Sequence, residues 1–288
     1  MLMPRILLLL LLPTLLAGCT ADRLRSYAPV ESYPDDNWLM QQTDKKALVI
    51  VAHDDDAISC AGTISLLTAD GWDVRMLCLY TALPEDSARN AIRREDVMMA
   101  AGYQGIQEVQ THRLNYRRDH GHNPQYYAYF PPAQWDSVFY MDTLRQLIGA
   151  FIEKHRPTVI FTLDDVIGGY GHPDHAAVSS IVRKWAEGPN TSVERIYQAV
   201  FSPHQAETIM QDLPVYQQAK ERCHCAGMPL PDVQVNILSA AVQKQKAMQQ
   251  YSTEQHNLQK FWPKYDRYPA ETYFGIFDRE FFHVIETR

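Results

Sequence analysis

The strongest constraint on the fold is a continuous apolar run, Ala47 to Val51, that stops abruptly at His53-Asp54-Asp55-Asp56. A strand buried on both faces of a parallel sheet has no polar side, so it reads as such a run rather than as an alternation. Helical spacing follows over Ala57 to Ala69, which puts the four polar residues at a strand-to-helix turn. The pattern recurs: a β run from Thr158 to Leu163, then Gly171-His172-Pro173-Asp174-His175, then helical spacing over Ala176 to Trp185. Between and beyond them, strands at Val74 to Leu79, Glu108 to Thr111, Arg195 to Phe201 and Asp232 to Ile237 are predicted. Helices are predicted at Ser87 to Ala101, Trp135 to Lys154 and from Ile237 to about Gln255. Such alternation predicts a parallel α/β sheet. In these sheets ligands bind beyond the carboxyl ends of the strands, where helix N-termini add a positive dipole end.

Imidazole nitrogens and carboxylate oxygens are both acceptable zinc donors at about 2 Å. One turn rarely completes a tetrahedral site, but two strand ends offer matching sets. Taken singly, either cluster also reads as a solvated helix cap, since Asp is favoured there.

Together the residues resemble the metal-dependent N-acetylglucosaminyl deacetylases of the PIG-L or LmbE-like type, whose pattern is A-H-P-D-D-E followed later by H-P-D-H. The second motif is intact as His172-Pro173-Asp174-His175. The first reads Ala52-His53-Asp54-Asp55-Asp56-Ala57, with Asp for Pro and Ala for Glu. Weaker matches are Ile92-Arg93-Arg94-Glu95 leading to Ala100-Ala101-Gly102, and Lys246-Ala247-Met248 with Tyr251-Ser252-Thr253-Glu254. The resemblance covers most of the chain after Lys45 and implies a Rossmann-like three-layer α/β sandwich with a mostly parallel central sheet.

Carried over residue by residue, the resemblance implies His53, Asp56 and His175 as ligands of Zn2+, with a position left for water. Asp55 would be the general base, His172 the stabiliser of the oxyanion, and Asp174 the group that orients His172 and favours its charged form. Pro173 would fix the start of the second helix. Arg93 and Tyr251 would bind substrate, although Arg93 also reads as a surface residue paired with Glu95 or Asp96. Asp54, where the family has Pro, is expected to be dispensable. Ala57 removes a carboxylate that supports the ligands, a loss that typically weakens metal binding by about 10 to 100-fold.

The N-terminus carries Arg5, an apolar run through Leu16 and Leu16-Ala17-Gly18-Cys19. That run is too short for a comfortable span and ends in small residues, as a signal peptide does. It resembles a bacterial lipoprotein leader, implying cleavage before Cys19, lipidation of that thiol and, with Thr20 following, an outer-membrane destination. Three segments are therefore expected: residues 1–18 as signal peptide, 19–44 as an extended tether, and 45–288 as one domain. The polar, Pro-containing composition of Thr20 to Asp44 suggests the tether. Cys60 and Cys78 sit in apolar patterns and read as buried small hydrophobes, whereas Cys223-His224-Cys225 reads as a loop disulfide or free thiols.

A formal net charge of -7 argues against a surface that tracks nucleic-acid phosphates. The long loop from Arg113 to Pro132 holds Arg117, Arg118, His120, His122, Tyr126, Tyr127, Tyr129 and Phe130. It serves either to stack sugar rings or as a lid packed on its own aromatics. Phe261-Trp262-Pro263 with Tyr265 and Tyr268 forms either a rim of the cleft or a cover for the sheet edge. The expected activity is removal of N-acetyl groups from an acetamido sugar of the cell envelope. Two other readings stay open: a non-catalytic, metal-holding glycan-binding lipoprotein, and a zinc amidase or esterase acting on a non-sugar acyl group.

Overall fold

A computed structural model describes residues 24–80, 87–112, 129–189 and 191–287. The leader with Cys19 lies outside these residues, as do Arg117, Arg118, His120, His122, Tyr126 and Tyr127 of the aromatic loop.

Among the described residues, seven strands form one sheet: β1 Lys46–His53, β2 Asp73–Tyr80, β3 Glu108–Thr111, β4 Val159–Leu163, β5 Arg195–Val200, β6 Val233–Asn236 and β7 Arg279–Glu286. Their order is β3-β2-β1-β4-β5-β7-β6, with β3 to β5 parallel and β7 antiparallel to both neighbours. The labelled helices are α1 Ala61–Ala69, α2 Ser87–Tyr103, α3 Met141–His155, α4 Pro173–Ala186, α5 Pro214–Cys223, α6 Ala241–Gln250, α7 Gln255–Phe261 and α8 Ala270–Phe274.

The period-2 geometry of β1 divides the core. Ala47, Val49 and Val51 face one cluster with Ile64 and Leu67 of α1 and Val97 of α2, whereas Leu48, Ile50 and Ala52 face another with Leu144 and Ile148 of α3 and Val178 and Ile181 of α4. The result is the expected Rossmann-like three-layer sandwich around a mostly parallel sheet. Starting from β1 the chain winds outward through β2 and β3, then returns to the other side of β1 as β4 and β5. The direction of winding therefore reverses between β1 and β4, and a crevice opens beyond their carboxyl ends. Both acid/His clusters lie there.

Several expectations on extent need correction. The helix predicted from Trp135 to Lys154 is two pieces, because Phe139 is extended (φ -108°, ψ 157°) and buries its ring in the core. The last predicted helix ends early, at Gln250 of α6, and α7, which was not predicted, begins at Gln255 with Tyr251 and its neighbours between the two. Strand β7 escapes the sequence pattern altogether. Residues 24–44 run along the domain: Leu24 and Leu39 are buried, Tyr197 donates its hydroxyl to Asp36 at 2.6 Å, and Glu31 accepts from Ser202 Oγ at 2.6 Å. The segment also pairs with β6, since Gln234 N donates to Pro34 O and Asp36 N donates to Gln234 O, both at 2.9 Å. Cys60 and Cys78 are buried, and Cys223 and Cys225 form a disulfide.

Candidate metal centre

At the end of β1 the chain turns through a short 3-10 helix, Asp56–Cys60, before α1 begins. Asp56 stabilises the turn by accepting the His53 N–H at 2.7 Å through Oδ2. Its other oxygen lies 3.1 Å from His175 Nε2, while His53 Nδ1 lies 2.8 Å from the same nitrogen and 3.6 Å from Asp56 Oδ2. Donors about 2.0–2.1 Å from a tetrahedral zinc stand roughly 3.3 Å apart, so the spacings of His175 Nε2 to Asp56 Oδ1 and to His53 Nδ1 suit a shared ion. The ring nitrogens of His53, His172 and His175 also group within 4.8 Å and form a second candidate set.

Hydrogen bonds on the far sides of the rings make the two imidazoles suitable ligands. His175 Nδ1 lies 3.0 Å from the carbonyl of Gly168. A carbonyl only accepts, so the proton is on Nδ1 and the Nε2 lone pair faces the site. His53 Nε2 lies 3.1 Å from Asp174 Oδ2, which in the same way leaves the Nδ1 lone pair facing inward. Metal-bound histidines normally have such partners.

The loop before α4 is shaped by Asp164 at the end of β4, which no sequence motif singled out. Its buried carboxylate accepts the N–H groups of Val166, Ile167, Gly168 and Gly169, at 3.1, 2.8, 3.1 and 2.5 Å. Gly168 has φ +68°, and a Cβ there would stand 2.5 Å from the His172 carbonyl oxygen. Only glycine allows that approach. The signals available in the sequence were an Asp at a strand end and two glycines four and five residues later.

His172 caps α4, its Nδ1 accepting the N–H of Asp174 at 3.3 Å, and Pro173 occupies the first helical position. In the neutral ring the proton is therefore on Nε2. Burial pushes His172 well below its ordinary pKa, although the nearby Asp174 carboxylate opposes this. Asp174 sits closer to His53 than to His172 Nδ1, which is 3.7 Å away.

The Asp55 carboxylate has no hydrogen-bond or ion-pair partner among the described residues, although its backbone carbonyl accepts the Ile58 N–H at 3.1 Å. Burial, then the charges of Asp54, Asp56 and Glu254, push its carboxyl well above the usual range. For Asp56 burial acts in the same direction, but His175 and His53 prevail and hold it well below. Two adjacent acids thus have opposite proton affinities, as a base and a ligand require. Ala57, where the family pattern has a carboxylate, is buried in the core.

Asp54 and Arg93 are placed differently from their expected positions. Asp54 is fully buried and receives the Arg93 guanidinium, whose Nε lies 3.1 and 2.9 Å from its two oxygens. Arg93 Nη1 also lies 3.2 Å from Glu254 Oε1, which Arg89 reaches at 3.0 Å. Arg93 is thus neither a surface residue paired with Glu95 or Asp96 nor uncommitted toward a ligand. Tyr251 is buried, with no hydrogen-bond partner for its hydroxyl among the described residues. Burial and the charges of Asp54, Asp55 and Asp56 push its pKa well above the ordinary value, so it remains a donor beside the acids.

Residues 48–186 match the PIG-L family model, described as GlcNAc-PI de-N-acetylase. The chain is 27% identical over 222 residues to the 1D-myo-inositol 2-acetamido-2-deoxy-alpha-D-glucopyranoside deacetylase of Mycobacteroides abscessus, an alignment spanning 69% of this chain and 75% of that protein. Among solved structures, the N,N'-diacetylchitobiose deacetylase of Pyrococcus horikoshii aligns over 88% of each chain, with a TM-score of 0.54 and 17% identity. The 4-carboxy-2-hydroxymuconate hydratase GalB of Pseudomonas putida aligns over 85% of this chain and 97% of its own, with a TM-score of 0.53 and 20% identity. The two structures share the fold but differ in chemistry, so the reaction must be read from the site.

Proposed function

We propose, from the support that the family model and the relatives give to a deacetylase of the PIG-L/LmbE type, that this chain hydrolyses the acetamide of an N-acetylated amino sugar. The observation that carries the reading is the convergence of His53 Nδ1, Asp56 Oδ1 and His175 Nε2, with the proton-hungry Asp55 beside them. His53, Asp56 and His175 would hold a divalent ion, zinc by the donor set, which would supply Lewis-acid polarisation to the water and the acetamide carbonyl.

The chain's own groups account for the proton transfers. Asp55, uncommitted and with a raised pKa, takes the proton of the attacking water and returns it to the leaving amine. His172 donates from Nε2–H as negative charge develops on the carbonyl oxygen. Tyr251 offers a hydroxyl donor to the substrate in the same recess. Asp174 and the Gly168 carbonyl hold the two ligand rings in the tautomers that binding requires.

The leader motivates the remaining part of the proposal, that the protein is exported, lipidated at Cys19 and works on acetamido sugars of the cell envelope. The Cys223–Cys225 disulfide supports an oxidising compartment. Acetate release from a panel of acetylated amino sugars by purified protein, abolished by chelator and restored by zinc, is the expected result. Turnover indifferent to chelation would refute the metal-dependent reading. Replacing Cys19 by Ser should release the protein from membranes, and unchanged fractionation would refute the anchor.

A further inference from the structure

Helix α2 is apolar on both of its sides. Val97, Ala100 and Ala101 are buried against the core. On the opposite side, a helix at a protein surface normally turns charged residues to water. Here Ala88, Ala91, Ile92, Met98, Met99 and Tyr103 are exposed, the four larger ones by 40% to 53%. Residues three and four apart share a helix face, so these form one stripe along α2, interrupted by Glu95.

The stripe continues onto α6. Asp96 Oδ2 accepts the N–H and the hydroxyl of Ser252, just after α6, at 2.8 Å each, and Lys246 Nζ stands over the Tyr103 ring at 5.7 Å, so the two helices run antiparallel. Val242 and Leu238 lie one and two turns before Lys246, 36% and 44% exposed. Six of the eleven large apolar side chains exposed among the described residues thus share one surface. Hydrophobic residues exposed singly are ordinary, whereas a contiguous patch marks a contact surface.

The charges on the stripe indicate what covers it. Arg94 and Glu95 are exposed, and neither side chain has a hydrogen-bond or ion-pair partner among the described residues. They stand at the midpoint of a helix of 17 residues, with apolar side chains toward either end. A twofold axis passing there sets a second α2 antiparallel to the first, and each Arg94 then faces Glu95 of the partner subunit. The same axis lays the small Ala88 and Ala91 of one copy against Tyr103 and Met99 of the partner subunit. A stable interface takes about 800 Å² from each partner, more than one helix about 25 Å long supplies, so Val242 and Leu238 belong to it as well.

We propose that α2, extended by Val242 and Leu238, is the interface of a twofold-symmetric homodimer. Arg93 leaves the same helix on its inner side to hold Asp54, so the second copy braces from outside the helix that anchors the turn after β1.

Sedimentation of the purified full chain at rising concentration tests this, and the unaltered protein should run as a dimer. Arg94→Glu and Glu95→Arg each bring like charges together at two symmetry-related places, so either should raise the dissociation constant about tenfold or more. The double exchange re-forms both pairs and should restore the dissociation constant to within about threefold. Met99→Glu should leave a monomer, and if it does not fold, by circular dichroism, the charge exchanges decide alone. A protein that is monomeric at every concentration overturns the proposal and leaves the surface to a different chain. A dimer indifferent to all of these changes overturns it too, as does a double exchange that fails to restore what the single ones weaken.

Discussion

The two turns that face each other across the β1–β4 crevice carry the same kinds of donor but are held in place by different means. The turn after β4 is fixed by its own backbone, with four N–H groups gathered on Asp164 and the Gly168 carbonyl passed on to His175. All of its partners lie within about a dozen residues. The turn after β1 is instead fixed by charge from far along the chain: Asp54 to Arg93, Arg93 to Glu254, Glu254 to Arg89. The locally built turn keeps the family's motif intact, and the turn that departs from it has a buried ion pair where the family has proline. A rigid ring restricts the chain by itself, whereas a carboxylate restricts it only while its partner stays in place. The first turn should therefore be the more vulnerable of the two.

The largest expected effects test what the turns share. His175→Ala and Asp56→Ala, one ligand from each side, should each lose both metal and turnover. His172→Ala and Asp55→Asn should keep the metal, and His172→Ala should reduce kcat by about 10² to 10³-fold. Metal analysis beside kinetics separates the classes, and metal lost from Asp55→Asn would break the assignment of base and ligand.

The next effect falls on the ion-paired turn alone. Removing one partner of a buried pair typically costs about 3–5 kcal/mol, so Asp54→Ala should be markedly destabilised in urea unfolding rather than tolerated. A loss below about 1 kcal/mol would mean that the Arg93 contact does not anchor the turn. On the other turn, Asp164→Asn should weaken zinc affinity by about 10 to 100-fold, measured by competition with a chelator, since it acts on His175 through Gly168. Unchanged affinity would show that the glycines alone shape that loop. The smallest effect is a coupling. Asp54 and Asp164 share no hydrogen-bond partner, so Asp54→Asn and Asp164→Asn should add to within about 0.5 kcal/mol of stability when combined. A larger deviation would make the two turns one unit.

The same contrast explains what could be read from the sequence. Parallel strands and the acid/His clusters at their ends were legible, because apolar runs and short motifs are local signals. The break at Phe139 was not, since neither Pro nor Gly marks it and only the burial of its ring in the core selects the extended backbone. Strand β7 was missed because its sequence lacks a clear alternation and its place depends on β5 and β6 as neighbours. The position of Arg93 on a helix gave no hint of Asp54, 39 residues away, and so the pair was read as a substrate contact and a dispensable acid. Asp174 was assigned to the histidine nearest in sequence, yet it sits closer to His53, 121 residues away.

The docked segment ahead of β1 has a consequence for how the molecule behaves in company. Strand β6 is the last of the sheet on its side, and an uncovered last strand offers a row of unpaired N–H and C=O groups to any other extended chain. Here Pro34 and Asp36 already occupy the groups of Gln234, and proline cannot extend the ladder further. The protein thus carries its own stopper against edge-to-edge growth. Cutting the chain just before Asn37 would remove that stopper while leaving the metal centre untouched, so the truncated protein should turn over substrate normally yet scatter more light as its concentration rises. Unchanged scattering would place the protection elsewhere.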